Sequence, residues 1–296
     1  MTGSPATRSA PVVLVRTAAK KGARAYGMAT SAVRAQPDFV IIGGKRCGTT
    51  SLFRNLSTHP SYVPLFPARQ QIKGAHFFDT NYSRGMTWYR SHFPVRARLR
   101  SARGGPSPRI TGEASPYYLF HPHAGARAAR GIPQAKLIVL LRNPVDRAYS
   151  HYRERVRHQV ETLSFEEALE SEDRRLAGEE ERMLADETYV SFAHEHLSYV
   201  RQGLYARALR RWLEVFSREQ FLFVVSEDLF RDPKEAYGRV TRFLGVESLP
   251  LKTFEKFNWH PGSPMAKETR SFLEDRFRGP NAELESLLEM DFSAWA

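Results

Sequence analysis

Three things are scarce in this chain of 296 residues, and the first is cysteine: Cys47 stands alone. A lone thiol cannot close an internal disulfide, which excludes a disulfide-stapled scaffold and any CxxC zinc or dithiol centre. Long apolar runs are also missing; the longest are Pro11–Val15, Phe39–Ile42, Lys136–Leu141 and Phe221–Val225. A helical membrane span needs roughly 18 consecutive apolar residues, so none is expected. Val12–Val15 is too short for the core of a secretory leader, and a cytoplasmic location is the simplest expectation. The third scarcity is acid in two stretches. Residues 1–36 carry Arg8, Arg16, Lys20, Lys21, Arg24 and Arg34 with no Asp or Glu, and Arg84 to Arg109 is a second acid-free block.

Lys and Arg total 44 against 32 Asp and Glu, a net charge of +12. Such blocks suit anionic partners: nucleic acid, a membrane surface, acidic glycans or phosphorylated small molecules. The alternative is a solvated basic surface. Residues 1–36 read as a basic tail or loose helix, able to touch an anionic membrane peripherally, ahead of one domain over 37–296. No specific nucleic-acid partner is expected. Glu166–Glu187, with ten acids and three arginines, reads as an exposed helical face.

At 42% hydrophobic and 26% charged, the composition is that of a globular domain. From Asp38 onward strand and helix patterns alternate. Asp38–Gly43, Lys136–Leu141 and Phe221–Val225 read as buried strands, with weaker strands at His76–Phe78 and Arg109–Glu113. Helices are expected over Thr50–Thr58, 144–158, 165–185, 195–217 and 233–244, with two more after Glu268. Continuous rather than alternating apolar strands mean a sheet covered on both faces, and helical crossovers make it parallel. The expected class is α/β.

Gly43-Gly-Lys-Arg-Cys-Gly48-Thr49-Thr50-Ser51 follows the first strand and opens a helix. Glycines let backbone N–H groups approach an anion, and the helix start adds its dipole. The spacing fits the nucleotide P-loop except that Thr49 stands where its lysine belongs, with Lys45 inside the loop instead. The strand Lys136–Leu141 ends in Arg142-Asn143 rather than a metal-binding aspartate. A cradle without either group suits a phosphate ester that needs no metal. Arg142, leaving a core strand, and Ser150, two turns into the next helix, are candidates to hold a second phosphate. A nucleotide kinase and a non-enzymatic anion-binding module are the competing readings.

Four segments in order, Phe39–Leu52, Lys73–Asp79, Gly112–Tyr117 and Leu141–Ser150, resemble PAPS-dependent sulfotransferases. The likeness is to the carbohydrate branch with heparan sulfate N- and 3-O-sulfotransferases, in a bacterial-type single domain. It implies a P-loop-kinase-like three-layer fold with a central parallel sheet flanked by helices. It also implies that Lys45, Arg46, Cys47, Gly48, Thr49, Thr50 and Ser51 bind the 5′-phosphosulfate of 3′-phosphoadenylyl sulfate (PAPS). Arg142 and Ser150 would hold the 3′-phosphate, Tyr205 would lie near the nucleotide, and no metal takes part. The acceptor, a carbohydrate or glycoconjugate offering a hydroxyl in preference to an amine, would meet Lys73, His76, Phe77 and Glu113. Lys45 would neutralise the leaving oxygen.

The resemblance breaks at Gly74, where the heparan-type enzymes carry the glutamate that serves as base. His76, two residues on and on the same face of a strand, is the favoured replacement, with Glu113 next. The arginine block 84–109 could line a cleft for an anionic acceptor. Asn258–Met265 offers His260, flanked by Lys256 and Lys267, as a weak nucleotide contact. Cys47 reads as a small side chain, not a nucleophile, and His121, His123, His194 and His196 read as surface residues.

Overall fold

A computed structural model describes residues 10–100, 108–251, 253–257 and 263–295, with side chains from residue 20 onward. Arg103 and His260 lie outside the described residues. Four strands form one sheet: β1 Phe39–Gly43, β2 Gly112–Ala114, β3 Lys136–Leu141 and β4 Phe221–Val225. Their order is β2-β1-β3-β4 and every pairing is parallel. All of β1 and all of β3 after Lys136 is buried, which is why these segments lack polar alternation.

The helices are α1 Ala10–Ala29, α2 Thr49–Leu56, α3 Gly85–Arg90, α4 Ala124–Gly131, α5 Pro144–Arg157, α6 Phe165–Leu176, α7 Glu179–Ala185, α8 Phe192–His196, α9 Tyr205–Leu213, α10 Ser226–Arg231, α11 Pro233–Leu244 and α12 Lys267–Leu288. Pro144 opens α5 in the first turn, where its missing N–H costs nothing, and the Asn143 side chain accepts from Val145 N–H at 2.9 Å. The chain leaves β1 toward β2 on one side and later enters β3 on the other. That reversal opens a crevice at the carboxyl ends of β1 and β3.

Several local expectations are corrected. His76–Phe78 leads into a turn, with His76 at φ +48°, and in the next segment Ile110 bridges Tyr62 while pairing with β1 starts at Gly112. Ala177 and Gly178, the latter at φ +73°, divide the 165–185 segment into α6 and α7. The 195–217 segment becomes the end of α8, a 3-10 turn at Arg201–Gly203 and α9. A single helix, α12, follows Glu268, with a 3-10 turn at Ser293–Trp295.

Burial corrects other expectations. Glu172 and Glu180 are buried, so the acidic segment is not simply an exposed face. His121 and His194 are core residues. The N-terminal segment also joins the packing before residue 37. Arg24 donates to Ser91 Oγ at 2.7 Å, and buried Arg34 lies 4.1 Å from the centre of the Phe66 ring.

Candidate active site

The loop between β1 and α2 has the geometry that an anion cradle requires. Gly44 N–H donates to the Leu140 carbonyl at 2.7 Å, tying the loop to β3, and Cys47 N–H closes a turn on the Gly44 carbonyl at 3.1 Å. Gly48 sits at φ +89° against the Phe230 ring, a conformation and a gap that a side chain would not share. As the first residues of α2, Thr49, Thr50 and Ser51 have no intrahelical acceptor for their N–H groups. Lys45, Arg46, Gly48, Thr49 and Thr50 line a cleft of about 1330 Å³.

Three loop-associated residues stand behind that surface. Cys47 is fully buried, its Sγ 3.5 Å from the Tyr205 hydroxyl, and burial pushes the thiol pKa up. Tyr205 is buried too and donates to the Arg142 carbonyl at 2.9 Å. Ser51 Oγ, without exposure, accepts Phe257 N–H at 2.9 Å. They buttress the cradle rather than form its surface. Ser51, helped by Asn55 holding Glu255 N–H at 3.2 Å, brings Lys256 and Phe257 to the rim.

The cations converge from separate elements. Lys45 Nζ donates to the Glu195 carbonyl at 3.0 Å and lies 3.7 Å from its carboxylate. Burial pulls the Lys45 ammonium down to about 8, against the opposing pull of Glu195. Lys73, expected on the acceptor side, reaches the cradle instead, donating to Thr50 Oγ1 at 3.0 Å and Thr49 Oγ1 at 3.3 Å. It delivers an ammonium to the helix start, although position 49 itself carries none. Burial lowers this group, too, to about 8.

The second-phosphate candidates do meet. Arg142 donates to the Arg46 carbonyl at 3.2 Å, while Arg46 Nε donates to Ser150 Oγ at 3.1 Å. Arg46 also pairs with Glu154 at 2.9 Å. Although burial opposes ionisation of Glu154, Arg46 and Arg155 outweigh it and hold the carboxyl below its usual range.

Across the cleft stands His76. Its Nδ1 is 2.8 Å from Asp79 Oδ2; with Asp79 accepting a proton there, Nε2 is left as the free acceptor. Burial opposes the imidazolium, but the hydrogen bond and charge of Asp79, with Glu113 and Glu195, raise the His76 pKa. The left-handed backbone at His76 is held by side chains in and just after β2. Glu113 accepts Ala75 N–H at 2.6 Å, Ser115 Oγ accepts His76 N–H at 3.1 Å, and the Tyr118 hydroxyl accepts Phe77 N–H at 2.7 Å. Three consecutive donors are thus captured, which is how the segments Lys73–Asp79 and Gly112–Tyr117 work as one unit.

Glu113 itself is fully buried and also accepts from Tyr89, Ser115 and Tyr118 at 2.8, 2.9 and 3.1 Å. Burial raises its pKa against these bonds, and it is not among the residues lining the cleft. Phe77, expected at the acceptor, is a core residue stacked on Tyr89 at 4.7 Å. None of the described arginines from Arg84 to Arg109 lines the cleft; Arg84 lies over Trp88, and Arg96 donates to the Ala32 carbonyl.

The cleft also contains residues that sequence reasoning passed over. Arg153, Glu154 and Arg157 follow the expected Ser150 at helical spacing on α5, a signal that was there to be read. Glu195 and His196 arrive from α8, with no local pattern announcing them; burial, Lys45 and Arg155 lower the His196 pKa to about 4. Among the described residues, no group of three or more His, Cys, Asp or Glu is placed to hold a metal ion. No described helix is long and apolar enough to cross a membrane.

Comparison with known proteins agrees with this geometry. The sulfotransferase domain family matches residues 36–260. Heparan sulfate glucosamine 3-O-sulfotransferase 6 of Homo sapiens is 35% identical over 243 residues, covering 82% of this chain and 62% of the relative. Bifunctional heparan sulfate N-deacetylase/N-sulfotransferase 3 of Homo sapiens is 31% identical over 281 residues, covering 85% of this chain and 30% of the relative. The chain therefore spans less than two thirds of the length of either. The crystal structure of a sulfotransferase from Alicyclobacillus acidocaldarius superposes with a TM-score of 0.62 at 35% identity, covering 88% of this chain and 99% of that one. A glycine loop at the sheet's switch point, a family match across most of the chain and a shared fold lead to one conclusion: this protein belongs to the sulfotransferase domain family.

Proposed function

We propose that the enzyme takes PAPS as donor and transfers its sulfuryl group to a carbohydrate or glycoconjugate, at a hydroxyl in preference to an amine. One observation carries this reading. The Lys45–Thr50 cradle, the Arg46–Ser150–Arg142 cluster and His76, which Asp79 holds from behind, meet in a single cleft. Two cationic subsites suit a nucleotide phosphorylated at both ends, and the adjacent imidazole suits an acceptor that must lose a proton. The carbohydrate acceptor is supported by relatives whose names specify heparan sulfate.

PAPS supplies an activated sulfuryl group on a phosphate leaving group; its S–O bond breaks as the acceptor oxygen forms a new one. The protein contributes position and charge. Lys45 and Lys73 face the 5′ side, where negative charge grows on the leaving oxygen. Arg142, Arg46 and Ser150 hold the 3′-phosphate. His76 accepts the acceptor proton at Nε2, with Asp79 steadying the imidazolium and orienting the ring. Glu113 acts through the loop, holding His76 in place without touching the substrate.

The test is incubation of purified protein with PAPS and a panel of glycans and glycosides, read by a mass gain of one sulfuryl group. Transfer that needs both PAPS and a sugar hydroxyl is the expected result. No transfer together with stronger stabilisation by Mg-ATP than by 3′,5′-diphosphoadenosine would overturn the reading in favour of a nucleotide kinase.

A further inference from the structure

Arg147 is not among the residues lining the cleft, yet it is a buried charged group that acts on loop residues and lacks a full set of partners. It lies on α5 between Asn143 and Ser150 and has no solvent exposure. One of its terminal nitrogens donates to the Tyr199 carbonyl. Its Nε and Nη1 have no hydrogen-bond partner among the described residues. Lys45, Cys47, Arg142 and Tyr205 all lie within its electrostatic reach.

The surroundings offer little counter-charge. Glu172 is a carboxylate that acts on it, but that group accepts backbone N–H bonds from Tyr199, Val200 and Arg201 and makes none with Arg147. His151, one turn on, is fully buried, and burial together with Lys45, Arg147, Arg155 and Arg46 keeps it neutral. A buried guanidinium left this way costs the folded protein stability, and apolar replacement of buried charges is often neutral or stabilising. The same charge, acting through a low-dielectric interior, attracts an anion seated in the loop above it.

Building on the nucleotide reading above, we propose that Arg147 is a positioning residue. It is a fixed, buried cation behind the phosphate loop, with no carboxylate hydrogen-bonded to it, whose charge is balanced by a phosphorylated ligand in the cleft. Its effect reaches the ligand through the loop and through the field, without contact.

Three proteins test it: wild type, Arg147→Met and Arg147→Lys. Each is measured for Tm without ligand and for affinity toward pyrophosphate and toward 3′,5′-diphosphoadenosine. Arg147→Met should melt no lower than wild type while binding both anions about tenfold more weakly, the scale of one unit charge acting across protein. Arg147→Lys, which keeps the charge but not the planar fork, should keep affinity within a few-fold. A structural tie would behave oppositely: Met would melt lower, and Lys would fail to rescue binding. Either result overturns the proposal, as does unchanged affinity in the Met variant or a wild type that binds neither anion. A wild type that binds pyrophosphate but not the nucleotide, with binding weakened by Met, would refute the donor assignment and leave Arg147's role standing.

Discussion

Asp79→Asn is the most informative perturbation of the proposed chemistry. The Asp79 side chain is wholly buried; one oxygen faces His76 Nδ1 at 2.8 Å and the other accepts Thr80 N–H at 2.6 Å. Asparagine preserves volume and can keep the Thr80 bond, but it removes the negative charge and can turn an N–H toward the histidine. The wrong tautomer then puts the proton on Nε2, where the acceptor's proton should arrive. Loss of orientation and imidazolium stabilisation in such a pair lowers turnover by about 10²–10⁴-fold.

The pH profile separates this from general damage. His76 is raised above its ordinary pKa, so in the wild type kcat should climb with pH as that proton is lost, later than for a free histidine. In Asp79→Asn the climb should move to lower pH and reach a much lower plateau. The pair's contribution to stability has the matching sign: present below the unfolded histidine's pKa, and lost as pH rises through the folded value. Nucleotide affinity should barely change. A variant with normal kcat, or with an unmoved pH profile, would refute His76 as the base.

Other perturbations probe the remaining parts. Arg142→Ala should weaken 3′,5′-diphosphoadenosine by about 1.5–3 kcal/mol, the scale of a charged hydrogen bond, with little effect on adenosine 5′-phosphate; titration calorimetry would compare the two. Because Lys45 and Lys73 both titrate near 8, nucleotide affinity should hold below pH 7 and fall above pH 8, more steeply than one group allows, in a binding series at fixed salt. Glu113→Gln should lower Tm as well as kcat, since a side-chain amide cannot satisfy Ala75 N–H, Tyr89, Ser115 and Tyr118 together. Gly74→Ala should also lose Tm and activity, because its Cβ would lie 2.4 Å from the Ala114 carbonyl oxygen. The glutamate that the resemblance implies for this position would meet the same obstruction.

What the sequence determined by itself was the part governed by local rules. Continuous apolar runs gave β1, β3 and β4, because a strand buried on both faces has no place for polar residues. Pro144 and the Gly48-Thr49 junction marked the starts of α5 and α2 through backbone restriction alone. The glycine loop after β1 was legible for the same reason: its free backbone donors lie at a helix start, and their positions follow from chain geometry. Tertiary structure decided the direction and neighbours of each side chain. His76 was expected on a strand, but the capture of three N–H groups by Glu113, Ser115 and Tyr118 bends it into a left-handed turn. Lys73 lies 23 residues from Thr50 yet bonds to it, and Glu195 reaches Lys45 from 150 residues away. Glu113, Phe77, Ser51, Cys47 and Tyr205 share motifs with surface residues but face inward. A motif gives residue order, and only the packing of separate elements determines which residues meet in the cleft.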